Sequence, residues 1–517
     1  MVKTKELAGE VFYPTPEAVA NAYLPDYAAA VAEAANDLPG FWGRLARQFE
    51  WYRPWAQVMD DSNAPFYRWF VGGKVNIVHN ALDRHMRTAV RNKAALIFEG
   101  EPGDTYVYTY QQLNREVNQF ASTLRAMGIG SGDRVAIFMG RVPQQIIAML
   151  ACAKIGAVHV VVPSSSSAAM LHHCLQDSEA KLLITSDGAW NNGKIVDLKA
   201  VANVASSRVG SIQSVICVRR TGQEVNMVPG RDFWYHDLMA LPAASPDAPT
   251  AFVDAEDPLF WFYAPGGKEK PIVHAHGGYM VNCATSLQWV FDLRPTDVYW
   301  CTADPASITG HSYLAYAPFL LGATSFMYEG APGQPSPERW WQMVSKYAIT
   351  VLYADDVSLA HLRQHGNSWP EKHDLSSLRL LGVNGEVVGE ALWHWFYEVI
   401  GNGRCPIMDT WWQAETGSIM ISPLPSTPIK PGSAGRPLPG IAAAVVDAEG
   451  NPLDSGEEGY LVIQNPWPAM FRRIEGDTDR YVRRYWGQFM DQGWYLSGDK
   501  ARMDEDGYIW LVNRQSA

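Results

Sequence analysis

An α/β fold is predicted by two observations: amphipathic stretches alternate with short β-branched apolar runs through the middle of the chain, and the last part breaks into short strands bounded by Gly, Pro and Asp turns. Residues 1–85 come first and follow neither period. Their runs FWGRLARQFEWYRPW and APFYRWFVGGKVN are rich in Trp, Tyr and Pro, which suits an extension strapped onto a larger body by aromatic burial. From about residue 90 the pattern changes. YTYQQLNREVNQFASTLRAMGI has helical apolar spacing and stops at Gly130, and RVAIFM follows a Ser-Gly-Asp turn, which predicts helix, turn and buried strand. The alternation recurs as QQIIAMLACAKIGA before VHVVVP, CLQDSEA before KLLITS, and WWQMVSKYA before ITVLYA, so residues 86–430 are predicted to form crossovers on parallel sheet. Residues 431–517 open with GSAGRPLPGIAAAVVDAEGNPLDSGEEGYLVIQ, whose short strands and tight turns predict a compact antiparallel sheet or barrel.

Bulk properties narrow the function. A chain of 517 residues exceeds the size at which one core stops growing, so two or three packed subdomains are expected. The net charge of −12, without a dense Lys/Arg run, excludes a nucleic-acid partner, because phosphate-backbone recognition needs a basic face. Cys152, Cys174, Cys217, Cys283, Cys301 and Cys405 lie far apart with no C-x-x-C pair, which points away from disulfides and zinc and towards reduced thiols in a cytoplasmic protein. The N-terminus has no apolar signal-like segment and no run reaches the ~18 uninterrupted apolar residues of a membrane span, so no membrane partner is expected.

The strongest local signal is Asp409-Thr-Trp-Trp-Gln-Ala-Glu-Thr-Gly417. A carboxylate, an amide and a hydroxyl among two indoles suit a small ligand cavity, although a buried loop with packing indoles would read the same. His274 and His276 could share a strand face but lack a third ligand, so a metal site there is rejected. His311 and Ser312 are chain neighbours that would not face each other, and without a G-x-S-x-G elbow a hydrolase is rejected as well. A G-x-x-x-x-G-K-[ST] loop is also missing.

Together with LGVNGE (Leu381 to Glu386), YWCTADPASITGHSY (Tyr299 to Tyr313), YLSGDKARMDEDGYIWLVNR (Tyr495 to Arg514) and YAPGGKEKP (Tyr263 to Pro271), that segment resembles the acetyl-CoA synthetases, AMP-forming acyl-CoA synthetases of the adenylate-forming superfamily. The resemblance extends through FWGRLA, FYRWFVGGKVN, LDRH, FEGEPGD and MLACAKIGAVH, hence over nearly the whole chain. It implies the large adenylate-forming N-terminal domain, with two parallel-sheet α/β subdomains and a small antiparallel β subdomain. It also implies a reaction in which a short carboxylic acid, ATP and CoA give an acyl-adenylate and then a thioester, with Mg²⁺ as cofactor. By this resemblance Gly385, Glu386 and Val387 lie along the adenine and Asp409, Thr410, Trp411, Trp412 and Gln413 close its other side. Asp499 and Arg514 take the ribose, Thr416 touches the α-phosphate, and Glu415 holds Mg²⁺. The acid pocket maps to Ile308, Thr309, Asn384 and Trp412. An indole across its end leaves room only for a short acid, and the amide of Asn384, where the family has Val, points to a polar or hydroxylated one.

Four departures accompany the resemblance. The phosphate loop is reduced to Ala264-Pro-Gly266-Gly267-Lys268-Glu-Lys270-Pro271 and has lost its hydroxyls, leaving two glycines and two lysines to face a pyrophosphate. Asparagines replace the basic residue near the CoA phosphate in Ala189-Trp-Asn-Asn-Gly-Lys194. Gly333 stands for a CoA-contacting Asn, and Pro163 with four serines replaces a small-residue turn, so Lys194 and Thr309 are the retained CoA candidates. Finally, the chain is expected to stop where the family's C-terminal domain, with its adenylation lysine, would begin. A degenerate subunit with a nucleotide-binding, regulatory or structural role is the alternative function, and a homo-oligomer or larger assembly is left open.

Overall fold

The computed structural model describes the chain apart from residues 1, 7, 8, 265, 267, 268, 386, 387 and 514–517. The helix expected after residue 108 runs over Tyr110–Ala126, with Thr109 and Gln112 forming a capping box. Leu113, Val117, Phe120, Ala121 and Leu124 make its buried stripe at the expected three- and four-residue spacing. It ends earlier than Gly130 because Gly128, at φ +81°, turns the chain through the left-handed region. The strand Arg134–Phe138 follows, and the next helix, Pro143–Lys154, is buried at every position but Gln144.

Among the described residues an eight-stranded sheet is ordered Asp232–Trp234, Ser214–Val218, Leu182–Ser186, Arg134–Phe138, Val158–Val161, Pro258–Phe262, Ile272–Ala275 and Arg473–Ile474. Its pairings are parallel up to Pro258–Phe262 and antiparallel beyond. A seven-stranded sheet is ordered Ile407–Asp409, Leu380–Asn384, Val351–Asp355, Val298–Cys301, Thr324–Tyr328, Ala94–Glu99 and Thr105–Thr109, parallel except for its last pair. Strands buried on both faces need no polar alternation, which is why VHVVVP and KLLITS read as continuous apolar runs. A four-stranded antiparallel sheet, Ala443–Val446, Glu458–Ile463, Tyr495–Met503 and Ile509–Asn513, completes the α/β fold with its small β part.

Aromatic residues near the N-terminus pack against later parts of the chain. Trp42 and Trp69 are buried, Phe41 lies 6.2 Å from Trp289, and Phe12 lies 4.9 Å from Trp393. Phe66 stacks on Tyr481 at 5.1 Å, and the Tyr481 hydroxyl donates to the Pro65 carbonyl at 3.0 Å. These residues thus grip both the α/β body and the late β region, and truncating one such buried indole costs about 3–5 kcal/mol. All six cysteines are buried free thiols.

Candidate active site

Two neighbouring strand ends build the first wall. Val383 pairs with Asp409, and the Thr410 amide donates to the Val383 carbonyl at 3.0 Å, so Gly385 emerges beside the Thr410–Gln413 turn. Glycine is required there: φ is +117°, and a Cβ would lie 2.0 Å from Asp356 Oδ1. Glu386 and Val387 lie outside the described residues, as does Arg514. The Thr410 hydroxyl is 2.8 Å from the Tyr353 hydroxyl and donates to the Val383 carbonyl, and Asp409 is buried.

The third piece arrives from the four-stranded sheet. Asp499, 2% exposed, accepts through Oδ2 from the Trp411 indole at 2.9 Å and from the Gln413 amide at 3.2 Å. Gln413 also donates to the Ser497 carbonyl at 2.8 Å and accepts from the Tyr495 hydroxyl at 2.9 Å. The Gly385 turn, the indole loop and Asp499 therefore converge at the carboxyl ends of parallel strands, where open α/β sheets place ligands.

Behind them the loop is stitched to itself. The Thr416 hydroxyl, fully buried, accepts from the Gln413 amide at 2.9 Å and can donate to the carbonyls of Gln413 or Ser418 at 3.0 and 3.1 Å. The Trp467 indole donates to the Thr416 carbonyl at 2.8 Å, and the Tyr485 hydroxyl donates to Glu415 Oε1 at 2.7 Å. Burial, and secondly the Glu415 charge, push the Tyr485 hydroxyl pKa up, so it stays a donor. His274 places Nε2 2.8 Å from the Ala414 carbonyl and Nδ1 3.2 Å from that of Ala469; burial brings its pKa down to about 3, which keeps the ring neutral. Trp467 and Tyr485 escaped the sequence reading, and Tyr495 entered it only as the first residue of the Tyr495 to Arg514 segment, without a role. The aromatic spacing of TDRYVRRYW was the available signal for Tyr485.

Trp412 is buried edge-on against Tyr313, with centroids 5.1 Å apart and planes at 85°. Ile308 and Thr309, both half-buried, open the short helix Ile308–Gly310, capped by Ser307, which runs on into the turn carrying Tyr313. The Asn384 side chain, also half-buried, lies opposite Asp355 in the sheet, and its amide donates to the Ala354 carbonyl at 3.4 Å, which satisfies one of its two N–H groups.

The remaining candidates among the described residues, Gly266, Lys270 and Lys194, are exposed. Gly266 sits at φ +91°, while Gly267 and Lys268 lie outside the described residues. Lys270 forms an ion pair with Asp177, which also accepts from the Tyr263 hydroxyl at 2.9 Å. Lys194 begins one arm of a hairpin, Ala189–Asn191 with Lys194–Val196, turned through Asn192 at φ +53° and Gly193 at φ +73°. This hairpin, Ser164–Ser165 and Ala331 surround a cleft of about 220 Å³, which brings the three altered CoA segments to one place.

Fold and polar cluster together define an α/β enzyme domain whose ligand side lies at the strand ends. The AMP-binding enzyme family matches residues 82–472, and the acetyl-coenzyme A synthetase N-terminus family matches residues 27–81. The chain belongs to the AMP-binding enzyme family, and within it is an acyl-CoA synthetase, an AMP-forming acid–CoA ligase. It is 46% identical over 509 residues to an acetyl-coenzyme A synthetase of Chlorobaculum tepidum, covering 97% of this chain and 76% of that one. It is 46% identical over 515 residues to an acetyl-coenzyme A synthetase of Rubrobacter xylanophilus, covering 99% and 79%. An acetoacetyl-CoA synthetase structure from Streptomyces lividans superposes with a TM-score of 0.88 at 24% identity, covering 98% of this chain and 80% of that one, a likeness of fold. No truncation follows from these figures. Among the described residues no helix is long and apolar enough to cross a membrane.

Proposed function

We propose that this chain adenylates a short, polar carboxylic acid with ATP and passes the acyl group to CoA, at the site formed by the indole loop, the Gly385 turn and Asp499. The observation that carries the reading is the buried Asp499 carboxylate, aligned by the Trp411 indole and the Gln413 side-chain amide. A desolvated, oriented acceptor suits a ribose hydroxyl pair, for which Arg514 would be the second contact. Gly385, Glu386 and Val387 would flank one side of the adenine, and Asp409 to Gln413 the other.

In the first half-reaction an oxygen of the acid bonds to the α-phosphorus, and pyrophosphate leaves with the electron pair of the broken P–O bond. Thr416 would turn its hydroxyl from its own loop to the α-phosphate, and Glu415, already held by Tyr485, would carry Mg²⁺. The ion supplies positive charge against the phosphates. Ile308, Thr309, Asn384 and Trp412 would limit the acid to a short chain, and the second Asn384 N–H would favour a polar substituent. Then the CoA thiol displaces AMP, with Lys194 and Thr309 on the CoA side. Gly266, Gly267, Lys268 and Lys270 would face the pyrophosphate. Residues 1–85, 86–430 and 431–517 form the extension, the α/β body and the β subdomain. The buried free thiols fit a cytoplasmic setting.

Calorimetric titration with ATP and Mg²⁺, followed by acid-dependent pyrophosphate release across formate to butyrate and their hydroxy analogues, tests the reading. Release that peaks on a short hydroxylated acid is expected. ATP binding without release for any acid would indicate a nucleotide-binding subunit instead.

A further inference from the structure

The helix Thr478–Tyr485 meets Glu269 and carries charges that none of the roles above uses. Asp477 caps it by accepting from the Arg480 amide at 3.0 Å, and Tyr481 and Tyr485 form its buried face. Arg480 and Arg484, one turn apart, are left on a partly exposed flank. Both guanidinium groups converge on Glu269 of the loop: Arg480 pairs with Oε1, and Arg484 lies 3.5 Å from Oε2. The hydrogen bond from Arg480 is the main influence holding the Glu269 carboxyl below its ordinary pKa, so this anion persists at neutral pH.

The same helix reaches the nucleotide side. Its last residue, Tyr485, donates to Glu415, and the Arg484 charge is felt by both Tyr485 and Tyr495, the partner of Gln413. A line therefore runs from Thr416 and Glu415, beside the expected α-phosphate, through Tyr485 to Arg484, Arg480 and Glu269. Meanwhile Lys270, the loop lysine within the described residues, is turned to Asp177. Arginine forks donate to carboxylate and phosphate oxygens in the same geometry, and a half-exposed Arg–Glu pair costs little to exchange.

Building on the adenylation reading, we propose that Arg480 and Arg484 receive the pyrophosphate portion of ATP, and that Glu269 occupies their guanidinium groups until it binds. As the acid oxygen bonds to the α-phosphorus, the bridging P–O bond breaks and its electron pair leaves on pyrophosphate, so the growing negative charge faces two fixed cations. Helix-borne arginines thereby take over the task that the loop hydroxyls have lost.

The test is calorimetry on the full chain with AMP, ATP and inorganic pyrophosphate, each with Mg²⁺, for the wild type, R480Q/R484Q and E269Q, with thermal melts verifying folding. R480Q/R484Q should keep AMP affinity within about twofold and lose ATP and pyrophosphate affinity about 10- to 100-fold, as expected for charge-assisted hydrogen bonds. E269Q should move the other way and bind pyrophosphate several-fold more tightly. A merely structural tie between loop and helix would weaken binding in both variants. Equal loss of AMP and ATP in R480Q/R484Q, or weaker pyrophosphate binding in E269Q, overturns the assignment while leaving adenylation standing. A wild type that binds none of the three ligands removes the adenylation reading and this one with it.

Discussion

Around Asp499 the polar side chains are buried and bonded to one another: Trp411, Gln413 and Tyr495 hold the carboxylate and its neighbours in one arrangement. Around the phosphate loop the charges are partly exposed and tied in ion pairs, Lys270 with the largely buried Asp177 and Glu269 with Arg480, and Lys194 of the hairpin is exposed. The first region is held rigid by its own bonds, as the proposed nucleoside site requires. The second keeps its cations in exchangeable pairs, so substitutions there should alter ligand binding and leave stability nearly intact, whereas substitutions in the first should cost both.

Trp412→Gly should show the largest effect. Removing an indole packed on Tyr313 is expected to cost about 3–5 kcal/mol of stability, read by urea unfolding, and to extend pyrophosphate release to acids longer than butyrate. A stability loss with unchanged chain-length preference would place Trp412 in the scaffold and outside the acid pocket. Asp499→Ala comes next. It removes the ribose acceptor and strands the Trp411 and Gln413 donors, so ATP binding should weaken by about 1–3 kcal/mol and the melting temperature should drop with it. Unchanged ATP affinity in a folded protein would dissolve the contrast between the two regions.

What the sequence could disclose follows the same divide. The Asp409–Gly417 loop was readable because its carboxylate, amide, hydroxyl and indoles fall within one short run, and the helix Tyr110–Ala126 because its apolar spacing and capping pair are local. Trp467, Tyr485 and Tyr495 reach partners 51, 70 and 82 residues away, a relation that no period within a window expresses. The strand Arg473–Ile474 is two residues long and joins the eight-stranded sheet from within the late β region, again by a contact without local pattern. The altered loop residues were visible as departures, but Asp177, the partner that holds Lys270, lies 93 positions away.

Acid should sharpen the contrast through the buried histidine that pins the nucleotide loop. His274 has an ordinary value of 6.5 when unfolded and about 3 when folded, because burial penalises the charged ring. The unfolded chain therefore binds the extra proton, and the stability that His274 contributes is complete above its unfolded value and is lost as pH falls towards the folded one. The slope approaches about 1.4 kcal/mol per pH unit for one ring. Urea midpoints measured at about pH 7 and about pH 5 should fall less in His274→Gln than in the wild type. Parallel curves would mean that another group carries the acid sensitivity.

Lys270→Ala tests the exchangeable side, and here the expected change in stability is the smallest. The Lys270 side chain is 47% exposed and paired with Asp177, which is 10% exposed and also accepts from the Tyr263 hydroxyl. A pair whose cation is so open to water contributes about 0–1 kcal/mol, so the urea midpoint should scarcely move. Two outcomes for ATP remain distinguishable. If Lys270 leaves Asp177 to meet the pyrophosphate, the KM for ATP rises several-fold while AMP affinity holds; if it stays with Asp177, both are unchanged and the polyphosphate depends on the helix arginines. A large stability loss would instead show that the Asp177 pair is a fixed strut, and the phosphate side would then be as rigidly built as the nucleoside side.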